Sequence, residues 1–172
     1  LDPTTFVYDG TAKTPAVTVK DGSAVLTEGT DYTVAYESNV NAGTAKVTVT
    51  GQGNYSGTKE ATFTIEKATL SSMTIDPATL TYNGQAQTVS VTGVKAGELD
   101  VPATDYSVSG NTQTAAGEYT VTVTATGSNF QGELTKQYTI AAASAATLDV
   151  TLGTATYTYD GTAKTPAVTV KD

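Results

Sequence analysis

The side chains in this sequence that could do chemistry are carboxylates, hydroxyls and amines. The 172 residues include no His, Cys, Arg or Trp, and the acidic side chains outnumber the lysines to give a net charge of −8. Without imidazole or thiol the chain has no His general base, no Cys nucleophile and no His- or Cys-ligated zinc site. Paired carboxylates remain: Glu28 with Asp31, and Glu98 with Asp100, lie close enough in sequence to suggest acid/base work. Asp31 and Asp105, however, both follow Thr and precede Tyr at the start of a strand-like stretch, where an Asp side chain caps its own turn. The expectation is a non-enzyme without cofactor. Calcium sites want clustered oxygen ligands, whereas the acidic residues here come singly, so no metal site is assigned.

Two aromatic residues are the candidates for ligand contact. Asn54-Tyr55-Ser56 lies between Gly53 and Gly57, and its later counterpart is Asn129-Phe130-Gln131. The Asn-x-Ser sequon is lost in the second copy, so what recurs is Asn plus a ring. Tyr55 or Phe130, if exposed, could stack on a sugar; the competing expectation folds each ring back as a lid on the core. A Lys–Asn covalent staple, Lys46 or Lys59 with Asn39 or Asn54, can be nominated too, but the second copy has no Lys at either position.

These candidates sit in a repeated framework. Tyr8 to Asp21 recurs letter for letter as Tyr159 to Asp172. Between them a diverged copy matches at an offset of 74: Asp2-Pro3 with Asp76-Pro77, Tyr8-Asp9-Gly10 with Tyr82-Asn83-Gly84, Val47 to Thr50 with Val121 to Thr124. One inserted residue then makes the offset 75, as in Phe63-Thr64-Ile65 with Tyr138-Thr139-Ile140. A period this long exceeds solenoid repeats and suits beads on a string, each with its own core. The expected units are 1–67, lacking its first strand, 68–143, and a partial third at 144–172.

Thr is the most frequent residue and Val and Tyr are abundant, a composition that favours pleated, half-buried strands. Period-two alternation predicts strands over 15–20, 32–36, 45–50 and 61–65, and in the second copy over 70–75, 88–92, 106–108, 119–126 and 137–140. Asp-Gly and Asn-Gly after Tyr8 and Tyr82 predict tight hairpins. Ala116 to Val121 is similar to the tyrosine corner of β-sandwiches, in which a Tyr hydroxyl bonds back to the main chain. Seams at 66–72 and 141–146 are the expected linkers, short enough to limit the angle between units. Nine dispersed lysines on an acidic chain argue against nucleic acid, and no apolar run reaches the ~20 residues of a membrane span.

Tyr-Asp-Gly-Thr-Ala-Lys-Thr-Pro, Gly-Thr-Asp-Tyr-Thr-Val and Gly-x-Gly-Asn-Tyr-Ser-Gly-Thr resemble the MBG or YDG-type tandem repeats of large bacterial surface proteins, relatives of bacterial immunoglobulin-like repeats. The resemblance implies an all-β fold of tandem small antiparallel immunoglobulin-like sandwiches in an elongated array, with a β-grasp-like sheet as the alternative. It also implies an extracellular or wall-attached adhesin whose non-catalytic repeats act as a spacer. Neighbouring repeats are the first expected partners. Host glycan or protein is a second. Self-association is a third, in which the C-terminal segment of one chain completes the first unit of another and builds a fibre.

Overall fold

The computed structural model describes residues 1–154 and 156–171, and among these residues the chain is built of β-strands with two single-turn 3-10 helices and no α-helix. The first unit contains β1 (Thr5–Val7), β2 (Lys20–Asp21), β3 (Ala24–Val25), β4 (Tyr32–Glu37), β5 (Gly43–Gly51) and β6 (Thr58–Glu66). A linking strand, β7 (Ala68–Thr69), leads to β8 (Ser72–Asp76), β9 (Thr79–Thr81), β10 (Gln87–Thr88), β11 (Ser90–Ala96) and β12 (Leu99–Asp100). The second unit continues with β13 (Tyr106–Ser109), β14 (Thr112–Gln113), β15 (Gly117–Ala125), β16 (Phe130–Gln131) and β17 (Glu133–Ala141). Beyond it lie β18 (Asp149–Leu152) and β19 (Val168–Lys171).

The second unit is a sandwich. One sheet has the order β13-β15-β17-β9 and the other β12-β11-β8. Alternation along β15 and β17 sends Val121, Val123, Tyr138 and Ile140 inward, where they meet Met73, Ile75, Val89, Val94 and Ala96 from the opposite side. Burying one such aliphatic side chain is worth roughly 1.5–3 kcal/mol, so these residues supply most of the drive to close the sheets. The first unit repeats the larger sheet strand for strand as β4-β5-β6-β1. In both units the end strand is parallel: β1 to β6, with Phe6 opposite Ile65, and β9 to β17, with Leu80 opposite Ile140.

This topology changes one expectation. Tyr8-Asp9-Gly10 is not a tight hairpin, because the residues before and after it belong to opposite sheets. Asp9 instead accepts from the Thr11 amide (2.9 Å) and hydroxyl (2.6 Å) and pairs with Lys13, a local turn that redirects the chain between layers. The hairpin of this region is one step later, where Gly22 and Ser23 join β2 to β3.

The expected strand over 15–20 is also mostly missing. Pairing there is confined to the Asp2–Ala16 bridge, Lys20 in β2 and the bond from the Leu26 amide to the Val19 carbonyl. Its counterpart β11 is a full strand because β8 lies along its outer edge, with Val91 opposite Ile75 and Thr92 opposite Thr74. Among the described residues of the first unit, Leu1 and Asp2 stand where β8 runs in the second. Downstream, β18 and β19 pair in the β8–β11 register, with Leu152 opposite Val168 and Thr151 opposite Thr169. The final letter of the long exact repeat, Asp172, lies outside the described residues.

Candidate functional site: the joint between units

The most heavily built polar and aromatic arrangement lies between the two units. Lys67 ends the first, and β7 then runs parallel to β16, with Phe130 opposite Ala68 and Gln131 opposite Thr69. The Ala68 amide donates to the Asn129 carbonyl and the Leu70 amide to the Gln131 carbonyl, both at 2.9 Å. The expected linker is therefore itself a strand, and its Ala68 and Leu70 are buried in the core of the second unit.

Side chains tie the joint from both directions. The Asn129 amide oxygen accepts from the Ala42 main-chain amide (2.9 Å), and its nitrogen donates to the Asn41 side-chain oxygen (3.1 Å), both on the loop before β5. Tyr8 of the first unit meets Phe130 of the second edge to face, with ring centroids 5.5 Å apart and planes at 85°. Tyr8 is fixed in turn by its amide, which donates to the Glu66 carbonyl at 2.9 Å. Lys67 reaches the Gly127 carbonyl (3.3 Å), and Gln131 bonds Thr69 Oγ1 (3.2 Å). Gly132, at φ +95°, is pressed against Thr69: a Cβ there would lie 3.3 Å from the Thr69 methyl. Each hydrogen bond is worth about 1 kcal/mol net, so together with the buried ring they favour one relative setting of the units.

The structure separates the two aromatic candidates. Phe130 is 4% exposed, packed among Ala68, Leu70 and Met73 and covered by Tyr8, so it offers no open face to a ligand. Tyr55, its counterpart, is half-buried beside a cleft of ≈ 420 Å³ lined by Val19, Leu26, Asp31, Tyr32 and Val49. Of the residues nominated for a covalent staple, Lys46 pairs with Glu60 and then Glu37, each at 3.0 Å, which holds its amine above the ordinary lysine range, and Asn39 donates to the Lys13 carbonyl.

Asp31 caps a turn, accepting from the Thr27 amide (2.8 Å). No group of three or more acidic residues that could hold a metal comes together among the described residues. Tyr119 does form the corner suggested by its surroundings, donating to the Ala115 carbonyl at 2.9 Å. Sequence reasoning missed the joint itself. The usable signal was the pairing of two motifs from adjacent copies, the Tyr of Tyr-Asp-Gly in one and the Asn-aromatic pair in the next.

The architecture defines a class: tandem all-β sandwich units joined through a buried aromatic and amide contact. Residues 71–144 match the family model described as MBG domain, a domain found in bacterial surface proteins. No curated protein and no solved structure matches the chain.

Proposed function

We propose that the chain is a non-catalytic stalk segment of an extracellular bacterial adhesin, in which repeats space a distal domain from the cell. The observation that carries this reading is the joint. A spacer needs units that hold their direction, and a linker that pairs as a strand, buries Ala68 and Leu70 and is braced by Asn129 supplies that. An acidic surface keeps a long array soluble and self-repelling. Two experiments test the proposal. Antibody raised against the chain should label intact cells of the source bacterium, and small-angle scattering of dilute chain should give an elongated particle. Label confined to lysed cells, or a compact particle, would overturn it.

A second reading, adhesion to host glycan or protein, is favoured by the half-open Tyr55 cleft. It requires that Tyr55→Ala abolish binding on a glycan array while leaving the melting curve in place.

A further inference from the structure

Asn83 is the one Asn in the sequence that Gly follows, and it stands where the other copies of the motif carry Asp9-Gly10 and Asp160-Gly161. Asn83 and Gly84 lie in the turn between β9 and β10, and both are exposed. The exposure belongs to the turn. In the first unit, with the second unit joined to it, the matching Asp9 side chain is still 52% exposed.

The Asn83 side-chain amide is placed for attack by its own main chain. Its oxygen accepts from the Gln85 amide at 3.0 Å, which draws electron density from Cγ and sets an N–H where negative charge builds when Cγ is attacked. The attacking nitrogen would be that of Gly84, whose amide has no hydrogen-bond partner among the described residues, so solvent base reaches its proton. Gly84 stands at φ +77° with no atom within 4 Å of the place a Cβ would take, and nothing crowds that nitrogen.

The corresponding groups elsewhere are held differently. Asp9 is a carboxylate bound by Thr11 and Lys13, and an anion resists a nucleophile. In the second unit Gln85 and Gln87 replace Thr11 and Lys13, and the Gln87 amide is turned to the Thr81 carbonyl. Asn129 is bonded through both its oxygen and its nitrogen, and Asn111 donates to the Val89 carbonyl. A ring follows the first and a stiff β-branched side chain the second, and either shields the main-chain nitrogen.

We propose that Asn83 is a site of spontaneous covalent modification in the folded chain, with water as the co-reactant. Base removes the Gly84 amide proton, the nitrogen bonds to Asn83 Cγ, and the bond from Cγ to the side-chain nitrogen breaks, releasing ammonia and leaving a cyclic succinimide. Water then adds to one ring carbonyl, the ring C–N bond at that carbon breaks, and the Gly84 nitrogen regains a proton. Nothing is oxidised or reduced; NH2 is exchanged for OH. Opening at the side-chain carbonyl gives Asp-Gly, the motif of the first unit. Opening at the main-chain carbonyl routes the chain through the former side chain and inserts a methylene into the turn. Either product adds a negative charge to the second unit.

The full chain, kept folded at neutral and at mildly alkaline pH in water enriched in heavy oxygen, should be digested at intervals and its peptides sequenced by mass spectrometry. Residue 83 should take up a heavy oxygen atom about tenfold faster than Asn111 or Asn129. Part of the product should accept label from an isoaspartyl methyltransferase, and the rate should rise with pH, because the attacking nitrogen must lose its proton. Asn83→Gln, whose longer side chain must close a larger and slower ring, should stop the uptake and leaves both cores untouched. The same chain in denaturant supplies the unfolded reference. Residue 83 unchanged in the folded chain while it converts in denaturant, conversion no faster than at Asn111 or Asn129, or uptake that Asn83→Gln does not remove would each overturn the proposal.

Discussion

The two units share a ladder plan but differ in how completely the sandwich is closed. Thirteen apolar residues are buried in the linking strand and second unit, against five in the first. Among the described residues, β8 brings Met73 and Ile75 to the second unit and gives β11 a partner along its whole length, while Leu1 and Asp2 line the matching edge of the first. The first unit also differs in a polar pair. It buries Lys13, tied to Asp9 and standing 6.0 Å from the Phe6 ring centre, where the second unit has the neutral pair Asn83 and Gln87. Charge was exchanged as a pair, which avoids leaving a buried ion alone.

A second exchange keeps the ring cluster while moving its tyrosine. Tyr119 on β15 packs on Tyr138, whereas the first unit has Ala45 at the matching position and places Tyr36 of β4 against Phe63 instead. The counterpart of Tyr36 is Gly110, at φ +75°, where a Cβ would collide with the Thr120 carbonyl oxygen. Besides the Tyr119 corner, tyrosine hydroxyls of both units reach main-chain carbonyls, Tyr36 to Pro15 at 2.7 Å and Tyr138 to Gly110 at 3.0 Å. Burial raises the pKa of both phenols. The lesson is that the ladder fixes the unit and the ring cluster tolerates relocation.

Four substitutions or conditions would break or sharpen the contrast. Phe130→Ala removes a buried ring shared by the second core and the joint, and should destabilise the second unit by about 3–5 kcal/mol in denaturant titrations. Ile75→Ala should cost that unit about 2–5 kcal/mol, while Leu1→Ala, at the half-closed equivalent position, should change the first unit by less; hydrogen exchange read peptide by peptide separates the two. Asn129→Ala should lose about 1 kcal/mol and act chiefly on inter-unit order, leaving the protection of β15 and β17 intact.

The smallest effect is on pH dependence. The Lys13 ion pair, followed by the Thr11 bonds, holds the Asp9 carboxyl well below the usual carboxylate range. A depressed carboxyl contributes stability that is complete above its unfolded pKa, near 4, and is lost as pH falls from there through the folded value. Acidification below about pH 4 should therefore weaken the first unit through this group, and Asp9→Asn should remove that component. The second unit, with Asn83 in its place, should lack it.

Much of this plan was legible in the sequence. Alternation gave β4, β5, β6, β15 and β17 because Val47, Phe63, Ile65, Val121, Val123, Tyr138 and Ile140 each face a core on one side only. The repeat offset carried the same plan from one unit to the other. The parallel pairings were not legible: Leu80 meets Ile140 across sixty residues, and nothing in a three-residue strand announces its partner. The stretch 15–20 read as a strand because its pattern is one, and in the structure its pairing is limited to Ala16, Val19 and Lys20. Phe130 read as a possible contact residue because a ring between glycines looks the same whether solvent or Tyr8 covers it.

The central claim is that the joint holds the units in one setting. Spin labels at exposed Thr33 and Ser107, introduced as the only cysteines and measured by pulsed dipolar spectroscopy at high dilution, test it most directly. A single narrow distance distribution that broadens in Asn129→Ala and Tyr8→Ala is the expected result. A broad distribution in the unmodified chain, unchanged by either substitution, would contradict it.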